Sequence, residues 1–183
     1  METVPGRECG GCTVCCTELH INTAGLKKLA GLRCPNLRDD RLCAIYDARP
    51  QACRMFECGW RVTQALGDGW RPDRSGIVLI PKPKSTPPGY RAGSGVEIML
   101  LRRGALHNAE LPGLIAAWVS ARVPVSLTVA SPVGYMARSA FVNEMAEGAV
   151  RRQDRAALVK VLEEMADGLL RRKPEAAVFD AVA

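Results

Sequence analysis

All eight cysteines of this 183-residue chain lie between Cys9 and Cys58, and none follows. The first four read Cys-Gly-Gly-Cys-Thr-Val-Cys-Cys, at Cys9, Cys12, Cys15 and Cys16; the others are Cys34, Cys43, Cys53 and Cys58. Thiols at this density oxidise and scavenge metal if left free. A Cys-x-x-Cys pair lets two sulfurs converge on one ion. Sulfur-only ligation suits zinc and iron–sulfur clusters alike. All eight are therefore candidate metal ligands. Eight sulfurs allow two tetrahedral zinc ions, one four-cysteine cluster with four spare thiols, or two clusters.

The spacing carries more detail. Cys9, Cys12 and Cys16 fall at i, i+3 and i+7, which puts them on one face of a helical or knuckle-like turn. Cys15 and Cys16 are adjacent, so their side chains diverge and both cannot serve one ion. One is left to serve a second metal, to bridge, or to stay free for redox chemistry. His20, four residues after Cys16, could reach the same site, although eight cysteines already suffice. Cys53 follows Pro50, which suits the start of a helix through Phe56. The first turn of such a helix favours a thiolate. Arg49 and Arg54 flank Cys53; they either donate to metal-bound sulfur or pair with Asp47 and Glu57.

A disulfide framework would require an oxidising compartment. The opening residues Met-Glu-Thr-Val-Pro-Gly-Arg-Glu-Cys contain no apolar signal region, and no apolar run approaches the roughly 18–20 residues of a membrane span. A cytoplasmic location is expected, with no membrane partner. The formal charge of +6 counts cysteines as neutral. Two zinc ions on eight thiolates would lower it to about +2. Residues 1–58 carry eight Lys/Arg against seven Asp/Glu, so the cysteine region has no basic patch. Aromatic residues make up 5%, too few for a base-stacking platform. Nucleic acid is thus not expected as a partner. A protein partner remains open.

The expected fold is α+β: an N-terminal cysteine-rich metal-binding module, residues 1–60, packed on a small sheet with helices, residues 61–183, as one compact unit. With 48% hydrophobic residues the chain has material for a core. The module shows little apolar periodicity, so metal is expected to supply part of its folding free energy. Gly25–Ala30 reads as one or two helical turns, and Ala44–Tyr46 as a short extended piece. Strands are predicted over Gly76–Ile80, Val96–Leu101 and Val123–Val129. Pro124 either starts the last of these or marks an edge. Pro81–Gly89 is linker chemistry. Leu111–Arg122 is predicted to be helical, with Ile115, Trp118 and Val119 on one face. A C-terminal amphipathic helix carries Leu158, Val161, Leu162, Met165 and Leu169 along one stripe, and Pro174 helps to stop it. Ser131–Tyr135 reads as a turn, and His107 as a surface residue. No Ser-His-Asp set, carboxylate pair or phosphate-binding glycine loop stands out, so no catalytic residue is assigned.

These cysteines, with Cys34-Pro35, Cys43-Ala44-Ile45-Tyr46, Arg49-Pro50, Cys53-Arg54 and Phe56-Glu57-Cys58, resemble the CxxCxxCC cysteine-cluster family (the YkgJ-like group). The resemblance covers residues 9–58. Members are described as zinc- or iron-chelating proteins, and sometimes as Fe–S-cluster-containing proteins. A related cluster occurs in flagellin lysine N-methylases, but this chain is too short for that whole architecture. The resemblance implies zinc or iron as the cofactor and leaves three roles open: a structural or binding module, an Fe–S redox protein or component of a metal-dependent modifying enzyme, and a metal carrier.

Overall fold

The computed structural model describes residues 2–81, 88–90 and 95–179, and the fold is α+β. The cysteine region opens with a tight turn, in which the Cys12 N–H donates to the Cys9 carbonyl at 2.8 Å. Gly10, at φ +46°, supplies a backbone conformation other residues avoid. A single helical turn follows, α1 (Val14–Thr17), and then a hairpin of β1 (Ile21–Thr23) and β2 (Leu26–Lys28). Two short helices, α2 (Gln51–Met55) and α3 (Gly59–Val62), lead through α4 (Pro72–Ser75) into the sheet.

The sheet has the order β3 (Ile77–Pro81), β4 (Val96–Leu100), β5 (Val125–Val129), β6 (Arg138–Phe141). β3 runs antiparallel to β4, β4 parallel to β5, and β5 antiparallel to β6. A parallel pair needs a crossover. Here it is a 3₁₀ turn (Arg103–His107) followed by α5 (Leu111–Ser120). Two more helices complete the chain, α6 (Asn143–Arg151) and α7 (Arg155–Arg171). The Asp154 side chain caps α7 by accepting from the Ala157 N–H at 2.9 Å.

The period-two pattern of the strands gives the sheet two faces. Ile77, Leu79, Ile98, Leu100, Val125, Leu127 and Val129 join the main core with Leu111, Ile115, Leu158, Leu162, Ala166 and Leu169 of the helices. Val78 and Met99 turn the other way and are covered by Val14 of α1, with Cys12, Leu19 and Phe56 beside them. The cysteine region therefore packs on the back of the same sheet. Cys58 and Trp60 reach round into the main core.

Asn143 ties two elements together. It is buried, its Oδ1 accepts from the Val125 N–H at 2.7 Å, and its Nδ2 donates to the Val123 carbonyl at 2.8 Å. Pro124 has no N–H, but its carbonyl accepts from the Val96 N–H at 2.8 Å, and the Asn143 amide pairs with the backbone on either side of it. Asn143→Ala is expected to leave both backbone groups unsatisfied and to lower stability by about 2 kcal/mol, read by urea unfolding.

Several sequence expectations change. Gly25–Ala30 holds a strand rather than helical turns, and Ala44–Tyr46 lies in turns rather than extended. Leu26 and Lys28 face inward and Lys27 outward, a period of two hidden by a lysine at a buried position. Pro50 immediately precedes α2 instead of occupying its first position. β5 starts just after Pro124, but it lies inside the sheet, not at an edge. The buried line of α7 runs through Leu158, Leu162, Ala166 and Leu169, with Val161 and Met165 at its half-buried margin. β6 and α6 are elements without a predicted counterpart. Most of the Pro81–Gly89 stretch lies outside the described residues.

Candidate metal centre

α1 decides how the thiols are distributed. Successive residues of a helix point about 100° apart, so Cys15 and Cys16 look in different directions from a single turn. Burial pushes the Cys15 thiol well above its ordinary value, and the sulfurs that add to this are Cys58, Cys9, Cys12 and then Cys16. The Cys16 thiol is pushed up to about 11, again by burial first, then by Cys34, Cys43, Cys53 and Cys9. Cys53 is raised by burial, then by Cys34 and Cys43. Cys58 is raised by burial, with Cys12 and Cys9 adding to it. Cys15 thus faces an inner neighbourhood with Cys9, Cys12 and Cys58, while Cys16 faces an outer one with Cys34, Cys43 and Cys53.

The backbone supports both neighbourhoods. Next to the inner one, the N–H groups of Val14 and Asp73 are directed at the Cys12 sulfur, and those of Trp60 and Arg61 at the Cys58 sulfur. Backbone N–H donors stabilise a thiolate, and here they oppose part of the burial effect. In the outer one, the Cys34 N–H donates to the Cys16 carbonyl at 2.8 Å, and Cys43 forms an isolated bridge with Leu37. The eight cysteines carry no disulfide. Among the described residues, no group of three or more His, Cys, Asp or Glu side chains is positioned to hold a metal ion.

The donor chemistry nevertheless fits a metal. Neighbouring thiols that are partly desolvated would repel one another once ionised, and a cation among them would stabilise the thiolates. Zinc and iron–sulfur clusters accept such donors equally.

The remaining sequence candidates fall elsewhere. His20 stacks on Phe179, centroids 5.4 Å apart, and its buried Nδ1 has no hydrogen-bond partner among the described residues. The Arg49 guanidinium lies 3.7 Å from the centroid of the Tyr46 ring and its Nε donates to the Tyr46 carbonyl, while its charge still lowers the Cys53 thiol. The start of α2 does not outweigh burial at Cys53, consistent with a helix of only five residues. His107 is exposed. Ser131–Tyr135 contains a turn with Gly134 at φ +87°.

Three residues around this site carry no sequence signal. Asp73, in α4, accepts from the Cys12 thiol and is gripped by Arg71 at 2.7 and 2.6 Å. That pairing, first of all, holds the Asp73 carboxyl below the ordinary range. Lys28, the last residue of β2, is buried beside the outer thiols. Arg7, just before Cys9, donates to the carbonyls of Trp60, Thr63, Gln64 and Leu66, pinning the N-terminal strand of chain to the segment after Cys58.

Compared with known proteins, the chain matches no family model, no curated protein and no solved structure. Among the described residues no helix is long and apolar enough to cross a membrane.

Proposed function

We propose that the chain is a metal-binding protein that holds zinc or iron on two four-cysteine sets, Cys9/Cys12/Cys15/Cys58 inside and Cys16/Cys34/Cys43/Cys53 outside. One observation carries this reading: adjacent Cys15 and Cys16 diverge from the single turn of α1, Cys15 coupled chiefly to Cys58, Cys9 and Cys12, and Cys16 chiefly to Cys34, Cys43 and Cys53. A four-sulfur set leaves a zinc ion no open position, which suits a structural or binding module. An Fe–S redox protein or enzyme component, and a metal carrier, are the competing roles. The resemblance to the CxxCxxCC family points the same way as to metal and does not choose among these roles. When bound, the metal would neutralise the thiolates and lock the module. The chain's own part is to aim sulfurs, through the turn at Cys9–Cys12 and the short helix α1, and to shield them with Val14 and Trp60.

The test is elemental analysis with an absorption spectrum on untagged protein purified without oxygen. Two zinc ions per chain and no visible band are expected for the structural role. Iron with acid-labile sulfide and a broad band near roughly 400 nm would move the assignment to a redox role. Protein without metal, and without uptake when zinc or iron is supplied under reducing conditions, would overturn the reading.

A further inference from the structure

We propose that Lys28 is the counter-charge of the outer four-cysteine set, a positioning residue whose ammonium holds the ligand segments together and offsets the charge of the metal–thiolate centre. The inference rests on the metal-binding reading above.

Lysine is almost never buried without a partner, yet Lys28 is only 4% exposed. Its Nζ donates to the carbonyls of Thr17 at 2.8 Å, Leu29 at 3.0 Å and Leu32 at 2.9 Å. Those three bonds use all three of its donors. They satisfy its hydrogen bonding but not its charge, because carbonyls are dipoles. Among the described residues it forms no salt bridge with a carboxylate.

The three carbonyls show what the ammonium joins. Thr17 follows Cys16 at the end of α1, and Leu32 lies two residues before Cys34. The Cys34 N–H in turn donates to the Cys16 carbonyl. Lys28 therefore sits where two ligand segments of the outer set meet. Burial acts first and against its charge, lowering the Lys28 pKa; the anionic groups that favour the charge are, in order, Cys34, Glu18, Cys16 and Cys15. A divalent ion on four thiolates carries two net negative charges, and a buried cation beside it offsets one of them. The inner set is arranged differently: its charged neighbour is the Asp73–Arg71 pair. The two sets should thus differ in how they depend on Lys28.

Cobalt(II) titration of the reduced, metal-free full-length chain tests this, read by thiolate-to-cobalt absorption. Two backgrounds isolate the sets: Cys9→Ser leaves the outer one, and Cys43→Ser the inner one. Lys28→Met keeps the apolar stem and removes the charge; Lys28→Arg keeps the charge. In the Cys9→Ser background, Lys28→Met is expected to weaken cobalt binding about ten- to a hundredfold, and Lys28→Arg to recover most of it. In the Cys43→Ser background, Lys28→Met should weaken binding far less, since Cys15 is the last and smallest of the thiols acting on Lys28. Equal affinities for Lys28→Met and the parent in the outer-set background would overturn the inference while leaving the metal reading intact. Equal weakening of both sets, or loss of sheet-core melting, would make Lys28 a general folding residue and also overturn it. If the unsubstituted chain takes up no cobalt, zinc or iron, the metal reading fails and this inference with it.

Discussion

Cys58→Ser is expected to remove one metal equivalent and to destabilise the whole chain, whereas Cys43→Ser removes one equivalent and leaves the sheet core melting as before. Cys58 is 6% exposed and belongs to the main core beside Trp60, Leu79 and the helices. A serine hydroxyl there lacks the apolar fit of the thiol and costs about 1–3 kcal/mol if left unpaired. Loss of the inner metal adds to this, because a ligand that binds only the folded state stabilises it by linkage. Cys43 is half-buried in the loop between Leu37 and Tyr46 and is not part of that core. Metal content gives one readout. Thermal unfolding followed by tryptophan fluorescence gives the other, since Trp60 and Trp70 both lie in the main core. If Cys58→Ser keeps both metals, or if Cys43→Ser melts as early as Cys58→Ser, the division into an inner and an outer set is wrong.

Gly59→Val is expected to lower stability by about 3 kcal/mol and to weaken the inner site selectively. Gly59 opens α3 directly against β3. A Cβ at this position would stand 2.6 Å from the Leu79 Cβ and 2.9 Å from the Leu79 carbonyl oxygen. Side-chain rotation cannot relieve a contact with backbone, and Leu79 is held in register opposite Ile98 of the neighbouring strand. The helix turn must lift away, and it carries with it the Trp60 and Arg61 N–H groups directed at the Cys58 sulfur. Urea unfolding measures the first effect, and chelator competition at each site measures the second. An unchanged unfolding midpoint would show that α3 is not what seats the cysteine region on the sheet.

Much of the secondary structure was written locally. The stripe of α7, the apolar runs of β3, β4 and β5, and the helix before β5 each rest on neighbours a few residues apart. β6 escaped notice because Arg138-Ser139-Ala140-Phe141 has little strand character of its own; it pairs along β5, which supplies its hydrogen-bonding partner. The β1–β2 hairpin was hidden for a different reason. Lys28 breaks the expected apolar alternation, and the carbonyls of Thr17, Leu29 and Leu32 take its three hydrogen bonds inside the module.

The candidate site divides along the same line. Cysteine spacing alone named the eight sulfurs and required Cys15 and Cys16 to part, because adjacent side chains cannot turn to one centre. Which sulfurs each would join was a matter of tertiary structure. Cys58 comes to Cys12 and Cys15 because α3 packs on β3, Cys34 comes to Cys16 through a backbone hydrogen bond across the module, and Asp73 arrives with α4. Spacing along the chain constrains partners within a turn of helix. Between segments joined by loops it carries no direction, and packing against the sheet supplies one.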